Sequence, residues 1–231
     1  MPQQSSLPDT RARLIDAAVY LFWEQGYAAT GVSEILARAR VNSGSFYHFF
    51  KSKEALLLAV LDWYLMGLDP FVMQPAFAQS PDPIERVFAV LAFYRQNLVK
   101  TACTYGCPIG RLALEIPDDR TEVHHLLAAN FDGWTTAIEA CLDAARDQLP
   151  ADLDRASLSQ FVLTVMEGGV MQSRAHRDLA PFDASVRHLR RYFDLLTQPP
   201  QSARTVAPPR PLPRIGGPRK SIHRPRTPEL L

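Results

Sequence analysis

Apolar residues recur at three- and four-residue intervals through almost the whole chain up to Thr197, the spacing that lines one face of a helix turning every 3.6 residues. No stretch alternates apolar and polar residues between hairpin turns, as a half-buried strand would. The chain is therefore predicted to be all-α. Helix-ending and helix-starting residues divide the pattern. The first helix begins near Asp9, carries Leu14, Ile15, Ala18, Val19, Leu21 and Phe22 on one face, and stops at Gly26, the residue type that best tolerates a left-handed helix end. Thr30 is placed to cap a short second helix, about Gly31 to Ala39, and Ser43 a third, to about Phe50, because a hydroxyl can accept from an unpaired first-turn amide.

Ser52 and Ala55 open a fourth, longer helix to about Gly67, and Asp69-Pro70 with PAFAQSPDP then breaks the pattern. Further helices are predicted at about Pro83 to Val99, Pro108 to Glu115, Asp119 to Asp147, Ala156 to Arg177 and Phe182 to Thr197, with Pro117, Pro150 and Pro181 at the joints because proline blocks a helix interior. This divides the chain into a small N-terminal unit (residues 9–54) joined by the fourth helix to a larger one (68–198). Residues 1–8 are expected to be disordered, and so is the tail 199–231. That tail holds nine of the 19 prolines and is rich in arginine, a composition that cannot build a packed core.

The formal net charge of +1 on 231 residues gives no global pull toward nucleic acid, so any such partner must be read from a local feature. No apolar run approaches the roughly 20 residues that span a bilayer, and MPQQSSLPDT lacks the basic and apolar regions of an export signal. A cytoplasmic protein without a membrane partner is expected. Three cysteines, an odd number, argue against a disulfide framework.

The local feature is the segment Thr30 to Leu56, TGVSEILARARVNSGSFYHFFKSKEAL. Two short helices joined by a tight connection have the geometry in which the second enters a DNA major groove, about 12 Å wide. From Arg38 to Lys53 the segment carries Arg38, Arg40, Lys51, Lys53 and His48 and no carboxylate. Its field is therefore positive over the Debye length of about 8 Å that matters for phosphates.

The string VNSGSFYHFFKSKEAL resembles the recognition-helix signature of the TetR family of transcriptional regulators, and ARLIDAAVYLFWEQGYAATGVSEI resembles that family's first helix and its Gly-Tyr-x-x-Thr link. The resemblance implies an N-terminal helix-turn-helix domain followed by a helical ligand-binding and dimerisation domain. It implies a homodimer that binds a palindromic operator in double-stranded DNA, most simply as a repressor, and releases it when a small-molecule effector binds. Carried over by position, Thr30 would bond a phosphate from the second helix's N-terminus. Ser43, Gly44 and Ser45 would lie closest to the bases, and Asn42 would either cap the helix or touch DNA. Tyr47, His48 and Lys51 would lie near phosphates, and Lys53 would clamp the backbone, whereas Phe46, Phe49 and Phe50 are packing residues. Arg40 departs from the pattern, standing where the family usually has glycine. If that position is left-handed, arginine costs about 1 kcal/mol there and offers an additional phosphate contact.

The remainder resembles the family more weakly. GCPIGRLALEI is similar to a segment that follows the cavity-facing helix in one subgroup, and SQFVLTVMEGGVMQSRAHRD with FDASVRHLRRYFDLL is similar to the two last helices, which pair across a twofold axis. The candidate dimer residues are Val165, Gly168, Gly169, Val186, Leu189 and Phe193. The paired glycines cost about 1 kcal/mol each inside a helix, which suggests close helix approach. The resemblance places Phe93, Tyr94, Tyr105, Phe131, Trp134, Phe161 and Met166 around an effector cavity, each with ordinary core packing as its other reading, and Glu167 is the polar candidate, an interface ion pair being an equally good reading of it. Cys107 has two readings, a thiol of lowered pKa at a helix N-terminus that senses electrophiles with Cys103 as resolving partner, or a small buried hydrophobe.

A metal set of Cys103, Cys107, His124 and His125 matches no compact zinc spacing. No phosphate-cradling loop, nucleophile elbow or carboxylate constellation is present, so neither a cofactor nor catalysis is expected. A nucleoid-type DNA binder is the other alternative, and it would leave the large second domain without a purpose.

Overall fold

The computed structural model describes residues 9–198, and the expectations for 1–8 and 199–231 lie outside it. Among the described residues there is no strand. Ten α-helices follow in order: α1 (Thr10–Gln25), α2 (Val32–Ala39), α3 (Ser43–Phe49), α4 (Lys53–Leu68), α5 (Gln74–Phe77), α6 (Pro83–Lys100), α7 (Pro108–Glu115), α8 (Thr121–Ala144), α9 (Arg155–His176) and α10 (Ala180–Thr197).

The helix ends follow from individual side chains. Gly26 ends α1 with φ 93°, a backbone state that costs glycine nothing. Asn42 Oδ1 accepts from Ser45 N at 2.8 Å, so Asn42, not Ser43, caps α3. Ser52 Oγ accepts from Ala55 N at 3.0 Å and opens α4. Asp82 Oδ1 accepts from Ile84 N and Glu85 N at 2.8 and 3.0 Å, opening α6 beside Pro83, whose missing amide needs no partner in a first turn.

Two further expectations need correction. Thr30 does not cap α2: Gly31 holds that position, and its amide is taken by Glu34 Oε2 at 2.7 Å. Asp69-Pro70 does not end the fourth helix either. The chain widens there into a π-helical turn, Asp69–Met73, and continues into α5. A wider turn absorbs a proline because the carbonyl that its ring would strike is displaced by one register step. The helix thus runs unbroken from Lys53 to Phe77, 25 residues with an 18-residue window of mean hydropathy 1.6, long and apolar enough by composition to span a membrane, although Asp62 and Asp69 interrupt its apolar runs. Leu56, Leu57, Val60 and Leu61 are nevertheless buried within the fold.

α1 packs on α2, α3 and α4, and Phe22, Ile35, Phe46 and Leu57 are buried in the core that also continues through α4 into α6 and α8. α8, α9 and α10 pack in succession, with Trp134, Met166, Phe182 and Phe193 buried. One further contact joins the two ends of this arrangement: α7 packs on α1.

Candidate nucleic-acid interface and effector cavity

The α2–α3 connection turns at Arg40, which adopts φ 54° and ψ 51°. The left-handed backbone expected at the family's glycine position is therefore present, held by an arginine with an exposed side chain. Arg13, which the sequence reading overlooked, steadies this turn by donating to the carbonyls of Ala39 and Arg40 at 3.2 and 3.4 Å. Its position on the amphipathic α1 gave no sign of partners 26 and 27 residues downstream.

Along α3, Phe46 and the following Phe50 are buried and anchor the helix. The opposite side is open: Asn42, Ser43, Gly44, Tyr47, His48 and Lys51 are exposed and Ser45 is half-buried. Tyr47 is 54% exposed although its ring meets Phe46 edge-on at 5.1 Å. A large aromatic left half in water suits contact with a partner.

Two predicted phosphate contacts are turned inward. Thr30 is 1% exposed and its Oγ1 donates to the Gly26 carbonyl at 2.6 Å. The last carbonyls of a helix need donors, and this hydroxyl supplies one. Lys53 Nζ donates to the carbonyls of Tyr27 and Thr30 at 2.8 and 2.9 Å and stands 4.1 Å from the centre of the Tyr27 ring. Its burial lowers the ammonium pKa. Of its three protons one remains for a phosphate, so Lys53 is first a fastener between α4 and the α1–α2 turn.

Four of the predicted effector residues, Phe93, Tyr94, Tyr105 and Trp134, line one cavity of about 270 Å³. Its wall also contains Trp23 from α1, Trp63 and Tyr64 from α4 and Phe71 from the π-helical turn, none of them among the predicted effector residues. The wall carries no formally charged side chain, and its polar atoms come from Asn97, Asn130, the phenols and the indoles. Burial raises the pKa of Tyr64 and Tyr94, so both phenols are neutral donors.

The other predicted effector residues lie elsewhere. Cys107, Phe131 and Glu167 line an adjoining cleft between α7, α8 and α9, of about 510 Å³. Met166 is fully buried in the core, and Phe161 is 48% exposed on the outer side of α9 beside Tyr192. Cys107 caps α7, its Sγ accepting from Gly110 N at 3.4 Å. Burial, with the neighbouring Glu167 carboxylate, raises the thiol pKa well above its ordinary value. The lowered pKa considered from the helix N-terminus does not occur, because desolvation outweighs the amide contact. Burial also raises the pKa of Cys103 and Cys141.

Of the predicted dimer residues, Val165, Gly168, Gly169 and Leu189 line an open groove of about 930 Å³ between α9 and α10. Val186 packs against the core and Phe193 is buried in it, edge-on to Phe88 at 5.4 Å. The glycines divide. A Cβ on Gly169 would stand 3.1 Å from the Phe182 ring and 3.3 Å from its Cα, so that close approach is within the chain, whereas Gly168 faces open space. His124 Nε2 lies 3.1 Å from the Pro117 carbonyl. Among the described residues no three His, Cys, Asp or Glu side chains gather as a metal set.

An exposed α3 set behind a tight left-handed turn and flanked by Arg40 and Lys51, in a helical chain with an aromatic cavity, defines a DNA-binding regulator of the helix-turn-helix class. Comparison with known proteins agrees. The signature described as bacterial regulatory proteins of the tetR family matches residues 14–60, and that of the tetracyclin repressor-like C-terminal domain matches residues 83–189. The chain belongs to the TetR family of transcriptional regulators. It is 27% identical to the HTH-type transcriptional repressor DhaR of Mycobacterium sp. (strain GP1), over 75% of this chain and 86% of that protein. It is 24% identical to the repressor NemR of Escherichia coli K12, over 79% and 92%. Among solved structures, the regulatory protein TetR from Rhodobacter sphaeroides superposes with a TM-score of 0.70 at 26% identity, covering 79% of this chain and 98% of that one. The relatives are regulators, not enzymes.

Proposed function

We propose that the protein is a cytoplasmic, ligand-released repressor that binds a palindromic operator as a homodimer. Residues 9–54 would form the DNA-reading domain and 68–198 the effector and dimer domain. The observation that carries this reading is the exposed side of α3. Tyr47 and His48 on α3, and Lys51 just beyond it, stand in water on a segment that Phe46 and Phe50 fasten from behind, in a stretch from Arg38 to Lys53 without a carboxylate. Ser43, Gly44 and Ser45 at its N-terminal end would meet base edges. Tyr47, His48, Lys51, Arg40 and the free proton of Lys53 would meet phosphates. Repression is supported by the names of two relatives, DhaR and NemR.

Dimerisation is supported by the α9–α10 groove and by apolar side chains left exposed on the same two helices. Phe161 is 48%, Met171 61%, Tyr192 41% and Leu195 67% exposed, with Phe161 and Tyr192 lining the groove itself. A twofold pair would hold two α3 helices about one DNA turn, roughly 34–36 Å, apart. The effector would be a small, flat and uncharged molecule, because the cavity wall is aromatic and lacks charge.

Selection of duplexes from a random pool, followed by competition against unselected DNA, tests this. An inverted repeat preferred by about a thousandfold or more is expected. Binding without sequence preference would instead support an architectural DNA binder. Sedimentation of the free protein as a stable monomer would refute the dimer.

A further inference from the structure

We propose that Arg111 and Glu115 of α7 are positioning residues for DNA binding, a clamp through which the wall of the effector cavity sets the α1–α2 turn and, behind it, α3. This rests on the reading of α3 as the DNA-contacting helix and of the aromatic cavity as the effector site.

One ion pair receives the end of α1 entirely through its backbone. Glu115 Oε2 accepts from Tyr27 N at 2.8 Å and from Ala28 N at 3.3 Å. Its other oxygen accepts from Arg111 Nε at 2.6 Å. Arg111 Nη1 in turn donates to the carbonyls of Trp23 and Glu24 at 3.2 and 3.0 Å. Two carbonyls at the C-terminus of α1 and two amides just beyond it, all 87 or 88 residues upstream, are held by side chains one turn apart on α7. The carbonyls and amides at a helix end have fixed directions, so charge-assisted bonds to them orient the segment as well as attract it. The pair is largely shielded, with 18% and 22% of its side-chain surface exposed, so it is less screened than a surface pair.

The sequence is shaped to admit this contact. Gly26, at φ 93°, lies so close that a Cβ would overlap the Glu115 carboxylate and come within 2.8 Å of Arg111 Nη2. Beyond the turn the chain of contacts continues, since the Tyr27 carbonyl that follows the clamp takes the Lys53 ammonium at 2.8 Å. The clamp thus ends on the same loop that fastens α4 and precedes α2.

The other end of α7 is in the cavity. Pro108 and Ile109 line its wall, and the preceding Gly106 carbonyl accepts from the indole of Trp23, itself a cavity residue, at 2.8 Å. α7 has eight residues, about 12 Å of rigid rod. A molecule that displaces Pro108 or Ile109 must move Arg111 and Glu115 with them. Linkage is reciprocal, so DNA bound at α3 must also change the stability of α7, which permits a test without an identified effector.

The experiment is amide hydrogen exchange on the full chain, with and without a duplex selected by the wild type, for wild type, Glu115→Ala, Glu115→Gln and Arg111→Met. In free wild type the Tyr27 and Ala28 amides are expected to be protected, and the duplex is expected to slow exchange across residues 107–115. In Glu115→Ala, exchange at 27 and 28 should rise at least tenfold, duplex affinity should fall at least tenfold, and the duplex should no longer slow 107–115. Glu115→Gln, which keeps an acceptor for Tyr27 N but loses the charge, remains folded and falls between. Arg111→Met should uncouple 107–115 while leaving the 27 and 28 amides partly protected. Folded variants that bind the duplex as wild type does, with 107–115 slowed to the same extent, would overturn the clamp alone. Failure of the wild type to select any duplex would overturn the functional reading and the clamp with it.

Discussion

The ammonium of Lys53 lies 2.8 Å from the carbonyl oxygen of Tyr27, so the first residue of α4 is bonded to the loop that closes α1. With the second bond, to the Thr30 carbonyl at 2.9 Å, two charge-assisted interactions depend on this one side chain. Lys53→Met is expected to destabilise the fold by about 2 kcal/mol, measured by urea unfolding, and to weaken duplex binding besides. A residue used only for phosphate contact would lose affinity with no change in stability.

Arg40 sets stability against binding. Its left-handed backbone is strained for any side chain, so Arg40→Gly should raise stability by about 1 kcal/mol. The same change removes an exposed cation, and the slope of log affinity against log salt should fall in magnitude by about 1. Loss of stability on introducing glycine would show that the arginine side chain does structural work at the turn.

Neighbouring aromatics on α3 should behave oppositely. Phe46→Ala opens the core where the ring is fully buried and should cost about 3–5 kcal/mol. Tyr47→Ala, at a position 54% exposed, should change stability by no more than about 0.5 kcal/mol while duplex affinity falls. Circular dichroism melts and gel shifts on the same two variants decide this.

Much of the reading domain is legible in the sequence because its determinants are local. The stop at Gly26, the cap at Ser52 and the left-handed position at Arg40 each depend on a few neighbouring residues. The bounds of α7, Pro108 to Glu115, are fixed in the same way by proline at one end and Pro117 beyond the other. What was not legible depends on distant partners. Thr30 and Lys53 match phosphate-contacting positions, but carbonyls of the α1–α2 turn take their protons. The Arg111–Glu115 pair has the spacing of any solvated helix pair, and nothing local announces that α1 ends against it. Phe71 is not legible as a wall residue because Pro70 reads as a stop, whereas the π-helical turn carries the helix past it, and Trp23, Trp63 and Tyr64 reach the wall only through packing between distant helices.

Glu167 gives a pH signature. Its Oε1 is buried without a hydrogen-bond partner, and burial raises its pKa above the ordinary 4.5. A raised carboxyl pKa contributes stability that is fully present below about pH 4.5 and is lost as pH rises through the folded value. Glu167→Gln, which stays neutral, should therefore be more stable than wild type at pH 8, by about 1 kcal/mol, with the difference shrinking toward pH 4. Thermal melts across that range measure it, and a variant less stable at pH 8 would mean that the carboxylate has a partner in the assembled protein.

The buried thiols set a chemical expectation. Cys103, Cys107 and Cys141 all have raised pKa values, and the thiolate is the reactive form. Iodoacetamide at pH 7.5 should label the native protein slowly and the urea-unfolded protein rapidly at all three positions. Fast native labelling confined to Cys107 would restore the reading of that residue as an electrophile sensor.

The central claim is that α3 lies in the major groove, twice, on one duplex. Dimethyl sulfate methylates guanine N7, which faces that groove, so protection on a selected duplex reads the contact directly. Two symmetry-related patches of protected guanines are predicted, with centres about one helical turn apart, both lost together in Tyr47→Ala. Full methylation of every guanine under saturating protein, or a single protected patch that persists in Tyr47→Ala, would contradict the account.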